Sequence, residues 1–72
     1  MTASEELEQF ALRYASDAIL ADKQGARTNA ITQYRKATEV LLKLCSLYPN
    51  APQNKLYMEK VEAYRKRIKE LQ

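Results

Sequence analysis

Few side chains in this sequence are of the types that carry catalysis or bind metals. The 72-residue chain contains no His and a single Cys, Cys45. Zinc, haem and iron–sulfur sites draw on several such ligands, and a Ser or Cys nucleophile needs an adjacent base. Cys45 lies between Leu41 and Tyr48 on the apolar line of a predicted helix, where a thiol is buried and inert. The sequence therefore predicts no catalytic residue, no metal site and no cofactor in this chain.

Two aspartates of the first predicted helix are the other candidates for catalysis. Asp17 and Asp22 are five residues apart. Their carboxylates therefore point in different directions and cannot act as a catalytic pair. We expect both to be solvated, or Asp22 to accept a local hydrogen bond at the end of its helix.

The residues best suited to recognition lie on facing edges of two predicted helices. Alanines on the first helix would leave a shallow channel, which Leu12 and Ile19 wall on one side. On the third helix, Lys60 and Arg67 flank an aromatic stripe. An apolar floor with a basic rim suits a short apolar or Pro-containing peptide that carries acidic residues. The residues predicted to bind such a peptide are Ala11, Ala15, Ala18, Ile19, Tyr57, Lys60, Tyr64 and Arg67.

The same residues permit a second interpretation. The first and third helices could close directly against each other, with Lys60 and Arg67 as solvated side chains on the outside. The residue types alone do not decide between the channel and the closed interface.

Capping and stop signals divide the chain into three helices. Thr2 and Glu5 fit a capping box, which predicts a first helix over about residues 3–24 that stops at Gly25. A second helix is predicted over about 28–48, where Pro49 ends it. A third is predicted over about 52–71.

These helices predict a single all-α domain over residues 1–72, an antiparallel three-helix bundle that runs up, down and up. Short connections oblige successive helices to run antiparallel. The apolar stripe of the first helix is about 200° wide when residues are plotted at about 100° intervals. We therefore expect the first helix to contact both of the others.

Three groups of residues form a pattern across the corner of the first two helices and at the end of the third. They are Asp22-Lys23-Gln24-Gly25, then Ala30, Tyr34 and Ala37, and finally Tyr64, Arg67 and Leu71. This pattern resembles the microtubule-interacting and trafficking (MIT) domain family. The resemblance covers most of the chain and agrees with the helix lengths. One departure is Arg27, where many members carry an aromatic residue.

The resemblance implies a protein-interaction domain without catalysis of its own, like the N-terminal domains of ESCRT-pathway AAA ATPases, including archaeal cell-division ones. Such a domain would dock short C-terminal motifs of ESCRT-III-type filament subunits. It would thereby recruit an attached AAA ATPase for filament remodelling in membrane scission or cell division. The expected partner is a Pro-containing, acidic tail peptide. No small-molecule substrate is expected, and membrane contact would be indirect, through the partner.

Family members offer two grooves for such partners. A ligand helix binds between helices 2 and 3, and members that use this groove commonly have an apolar residue directly after the tyrosine of helix 3. Here that position is Arg65. An extended Pro-containing segment binds between helices 1 and 3, and this is the groove that we favour.

Two other functions fit parts of the sequence. The net charge of +3 and the cluster Arg65-Lys66-Arg67 with Lys69 would suit a basic nucleic-acid-binding domain, although solvated basic helix faces are common. The spacing of Ala30, Tyr34 and Ala37 also fits a tetratricopeptide-like repeat. Such a repeat is about 34 residues long, however, and its second helix would end sooner than this one. We favour the peptide-docking interpretation over both.

The expected compartment is a reducing cytoplasm. No apolar stretch approaches the ~20 residues of a membrane span. The N-terminus also lacks the charged and apolar regions of a signal peptide.

Overall fold

The computed structural model describes all 72 residues, as three helices and no strand. Helix α1 spans Ala3–Lys23, α2 spans Arg27–Leu47 and α3 spans Asn54–Leu71. Because the connections are short, the helices run up, down and up. The expected all-α three-helix bundle is confirmed. None of the three helices combines the length and the apolar character needed to span a bilayer.

The start of α1 is fixed by the predicted cap. Thr2 has extended backbone angles, and its hydroxyl accepts a hydrogen bond from the Glu5 N–H at 3.2 Å. The same hydroxyl donates to Glu5 Oε1 at 3.0 Å. One of the four unpaired N–H groups of the first turn is thereby satisfied, and the acidic residues of that turn face the positive end of the helix dipole.

Gly25 forms the corner between α1 and α2. Its φ is 76°, in the left-handed region that only glycine enters freely. Its N–H donates to the Asp22 carbonyl at 3.1 Å, and the Ala26 N–H donates to the Ala21 carbonyl at 2.9 Å. These paired bonds define a Schellman motif. The chain therefore reverses within three residues while the last carbonyls of α1 remain hydrogen-bonded.

The start of α3 differs from the predicted one. The helix begins at Asn54 rather than near residue 52. Pro52 and Gln53 lie in a turn that is closed by a hydrogen bond of 3.1 Å from the Asn54 N–H to the Ala51 carbonyl. Pro52 therefore precedes the helix instead of standing in its first turn.

Small side chains hold α1 and α2 close together. Tyr34 packs in the same core cluster as Ala18 and Ala30, and the cluster is completed from α3 by Ile68. A second cluster joins Leu41 and Leu44 of α2 to Val61 of α3. The buried alanines of these two helices are Ala11, Ala15, Ala18 and Ala21 on α1 and Ala30 and Ala37 on α2.

The backbones of α1 and α3 stand apart, in contrast to both other pairs. No Cα atom of α1 lies within 8 Å of a Cα atom of α3. The two helices meet through side chains, because alanines of α1 share the core clusters with Ile68 and Val61, and Tyr57 and Arg67 reach carboxylates of α1. The expectation that α1 contacts both neighbours thus holds for side chains, but close backbone packing is restricted to α2.

Candidate functional site

A cleft of about 200 Å³ lies between α1 and α3. The buried side chains of Ala11, Ala15 and Leu41 form its floor. Leu12 of α1 and Leu56 of α3 also line it and are largely exposed to solvent. We call this feature the α1/α3 cleft. Its lining residues are Glu8, Ala11, Leu12, Ala15, Leu41, Gln53, Leu56, Tyr57, Lys60 and Tyr64.

Five of the eight residues predicted to bind peptide line this cleft, and three do not. Ala18 has 0% exposure and packs with Ala30 and Tyr34 of α2, so a docked chain cannot reach it. Ile19 is exposed but stands outside the lining. Arg67 is held by an aspartate beyond the lining. The five that the structure brings together are Ala11, Ala15, Tyr57, Lys60 and Tyr64.

A polar bridge crosses one end of the α1/α3 cleft. The Tyr57 hydroxyl donates a short hydrogen bond to Glu8 Oε2. This bond to a carboxylate raises the pKa of Tyr57 to about 12, with burial as the second cause. Glu8, Leu41 and Gln53 are lining residues that sequence reasoning missed. Glu8 stands one turn before Leu12 on the same face of α1, which is the one signal that could have placed it there.

A second bridge ties α3 to α1 near the corner of the bundle. Arg67 donates from Nε and Nη2 to the two oxygens of Asp22, at 2.7 Å each. The Tyr34 hydroxyl donates to Asp22 Oδ2 at 3.0 Å. From the sequence we expected Asp22 to be solvated or to accept a local hydrogen bond at its helix end. The structure shows neither, because the partners of Asp22 come from other helices. It accepts hydrogen bonds from all three side-chain donors that converge there from α2 and α3.

The second bridge shifts the titration of its members in consistent directions. The hydrogen bonds from the Arg67 guanidinium hold the pKa of Asp22 below its ordinary value, although burial opposes the shift. The same bonds raise the pKa of Arg67. Burial raises the pKa of Tyr34, and its bond to Asp22 adds to the shift. At neutral pH the pair is thus charged and the tyrosine is neutral.

A shallower and more polar depression lies on the other side of α3, between α2 and α3. Leu42 and Ile68 are its apolar members. We call it the α2/α3 depression, and Thr38 beneath it has a buried hydroxyl oxygen without a hydrogen-bond partner. Its lining residues are Arg35, Thr38, Glu39, Leu42, Arg65, Ile68 and Lys69.

Cys45 is half-buried rather than fully buried as we predicted. The chain contains no His that could act as a base beside it. No group of three or more carboxylate or thiol side chains is placed to hold a metal ion either.

The chain matches known proteins over a span that includes the corner of Asp22, Gly25, Tyr34 and Arg67. A sequence model of the MIT (microtubule interacting and transport) domain family matches residues 8–72. The chain belongs to the MIT family. MIT domains are interaction domains rather than enzymes. The assignment also decides against the tetratricopeptide-like alternative.

One relative of this MIT domain is Cell division protein C of Sulfolobus acidocaldarius. The two sequences are 46% identical over 57 residues, which cover 79% of this chain. The same stretch covers 15% of the relative, so this chain corresponds to a small part of that protein. The resemblance to the MIT domains of archaeal cell-division proteins is confirmed.

Proposed function

We propose that this MIT domain docks an extended C-terminal segment of an ESCRT-III-type filament subunit in the α1/α3 cleft. Residues 1–72 would act as one cytoplasmic interaction unit that recruits an attached AAA ATPase to the filament during cell division. The observation that carries the proposal is the cleft itself. Its floor is apolar, aromatic side chains line it, and its two helices are held apart rather than packed.

The size and lining of the cleft support an extended ligand. Its volume of about 200 Å³ lies below the ~300–1,000 Å³ of pockets that enclose small molecules. It is therefore suited to single apolar side chains presented by a chain that lies along the surface. Tyr57 and Tyr64 offer ring surfaces of the kind that dock polyproline-type segments, whose conformation costs little entropy on binding. Lys60 supplies one cation for an acidic residue of the segment.

The α2/α3 depression supports a ligand helix less well. Arg65 lies in its lining at the position where helix-binding members carry an apolar residue. Only two of its seven lining residues, Leu42 and Ile68, are hydrophobic. The nucleic-acid alternative also loses a member of its cluster, because Arg67 is paired with Asp22 and with Glu70.

The test uses synthetic peptides of fifteen residues that overlap along the C-terminal third of each ESCRT-III-type subunit from the same organism. Isothermal titration against the 72-residue domain should identify a binder with a Kd of about 1–100 μM, since a short peptide loses chain entropy on docking. Binding by none of the peptides would show the proposed function to be wrong.

A matched pair of variants locates the site. Leu12 lines the cleft and is 53% exposed, whereas Leu20 lies on the same helix, is 56% exposed and stands outside it. Leu12→Asp should weaken peptide binding by about tenfold or more, because it places a charge against the apolar segment. Leu20→Asp should bind like the wild type. Ala15→Asp is a poorer probe because Ala15 is only 8% exposed, so a charge there also disturbs the core.

A variant of the α2/α3 depression completes the design. Lys69→Glu reverses a charge there without touching the α1/α3 cleft. It should leave peptide affinity unchanged. Loss of binding in Lys69→Glu together with normal binding in Leu12→Asp would contradict the assignment and place the ligand on the other side of α3.

A further inference from the structure

The α1/α3 cleft continues into a second cavity at one end of the bundle. This cavity, the end pocket, has a volume of about 260 Å³ and lies where the start of α1 meets the α2–α3 connection. It shares Glu8, Gln53 and Tyr57 with the cleft, so the two spaces are adjoining. Its lining residues are Ser4, Glu5, Glu8, Leu44, Tyr48, Ala51, Gln53, Asn54 and Tyr57.

The end pocket is acidic, and its charge is not neutralised within the chain. Glu5 and Glu8 are three residues apart and therefore share one face of α1. The only ion pairs in the structure are those of Arg67, far from this end, so neither glutamate has a cationic partner. Glu5 Oε1 accepts from Thr2 and Glu8 Oε2 accepts from Tyr57. The second oxygen of each carboxylate is left without a protein donor.

The walls of the end pocket fit a long side chain that ends in a cation. Leu44 is buried at the base, and Ala51 adds further apolar surface. The rings of Tyr48 and Tyr57 also line the pocket. Methylene groups of Lys or Arg pack against such surfaces while the charged head stays at the rim. A cation near a tyrosine ring face gains a further attraction.

We propose that the end pocket binds a Lys or Arg side chain of the segment docked in the α1/α3 cleft, with Glu5 and Glu8 as its partners. This inference rests on the proposed function and deepens it. From the sequence we expected an acidic segment because of the basic rim. The docked segment would carry a basic residue as well. Lys60 is the one cation in the cleft lining, whereas Arg67 is already neutralised by Asp22.

The geometry also fixes the spacing of the recognised residues. Tyr57, at the boundary of the two cavities, and Tyr64, deep in the cleft, are separated by seven positions of α3. Seven positions of a helix span about 10 Å, which an extended chain covers in about three residues. The basic residue of the partner should therefore stand about three or four positions from the apolar or Pro residue that contacts Tyr64.

The test takes the tightest binder of the peptide set and measures its affinity for the wild type and two variants by isothermal titration. The Glu5→Gln, Glu8→Gln double variant removes both charges but keeps acceptors for Thr2 and Tyr57. Glu6→Gln is the matched control, because it removes the same charge from the same helix turn outside the pocket. The double variant should bind about 3–20 times more weakly than the wild type, since charges at a rim contribute modestly. Glu6→Gln should bind normally.

A matched change in the peptide identifies the contact. Replacing the basic residue at the expected spacing by Gln should weaken binding to the wild type by a similar factor and should have no further effect on the double variant. Full affinity of the double variant for the unmodified peptide would overturn the inference and leave the cleft assignment intact. The inference would also be overturned if replacing the basic residue of the peptide weakened binding equally to the wild type and to the double variant. The basic residue would then contact groups other than Glu5 and Glu8. Binding by no peptide would overturn the proposed function and this inference with it.

Discussion

The two interfaces of α1 differ in how closely the backbones approach. Toward α2, buried alanines on both helices meet, and the helices pack along their length. Toward α3, alanines of α1 meet Tyr57, Lys60 and Tyr64, and the backbones stay more than 8 Å apart. The same small residues on one helix thus produce a closed core on one side and a cleft on the other.

The difference lies in the partner helix. When both helices present small side chains, close packing excludes water and buries the surface. When one helix presents long amphipathic side chains, these extend across the gap between the helices and leave the small residues at the floor of a cleft. Two bridges, which we call struts, cross this gap: Tyr57 bonds to Glu8 at one end, and Arg67 bonds to Asp22 at the other. A cleft is therefore formed without exposing the core.

The largest effect is expected from filling the closed interface. Ala18 is wholly buried against α2, so Ala18→Leu forces the helices apart and should cost about 1–3 kcal/mol of unfolding free energy. For a domain of this size that lowers Tm by roughly 5–20 °C. Ala63→Leu, at an exposed position of α3, is the control and should change Tm little. Equal Tm values for the two variants would mean that the interfaces do not differ in packing.

A smaller effect is expected at the corner that brings α1 and α2 together. Gly25→Ala retains open space, because nothing lies within 4 Å of the added Cβ. Its cost is therefore the backbone strain of a left-handed residue, about 1–2 kcal/mol. Gly25→Asn should lose less, since Asn tolerates that conformation. Chemical denaturation measures both, and an Ala variant as stable as the wild type would contradict a strained corner.

The Asp22–Arg67 strut should make stability depend on acid pH. Because the pKa of Asp22 is lowered in the folded protein, folding favours the carboxylate. The contribution of Asp22 is present above its unfolded pKa of about 3.9 and is lost as pH falls through the lower folded value. Asp22→Asn should thus have a lower free energy of unfolding than the wild type at pH 7. The difference between the two proteins should narrow below about pH 4. Glu70→Gln removes only the exposed partner of Arg67, so its free energy of unfolding at pH 7 should differ less from that of the wild type.

The smallest effect on stability is expected at the other strut. Glu8→Gln should change the unfolding free energy by less than about 1 kcal/mol, because the bond lies in solvent. It should nevertheless lower the pKa of Tyr57 from about 12 toward the ordinary value, since Gln carries no charge. At pH 11 the Tyr57 ring should be mostly neutral in the wild type and more ionised in the variant. NMR of the labelled tyrosine ring measures this, and an unchanged titration would contradict the strut.

The helices could be predicted from the sequence because their signals are local. A threonine cap, a glycine corner and Pro49 each act on residues within one turn, and the structure places helix ends at or near them. The start of α3 was predicted near residue 52 rather than at Asn54, because a proline suits both the first turn of a helix and the turn before it.

The cleft could be predicted only in part. Helical spacing predicted five of the residues that line the cleft. Ala18 was wrongly assigned to the cleft, because the spacing of residues in α1 does not show which of its faces packs against α2. Both struts join residues that are more than forty positions apart, 45 for Arg67 with Asp22 and 49 for Tyr57 with Glu8. Their pairing depends on the rotation and register of whole helices, for which no local signal exists.

The tight turn at Gly25 also bears on the order of folding events. It closes the smallest loop in the chain, so α1 and α2 can pair at little entropic cost before α3 docks. The amides of α3 should accordingly exchange with deuterium faster than those of α1 and α2. The cleft then exists only while α3 is docked, and a peptide bound across it would slow exchange along the whole of α3.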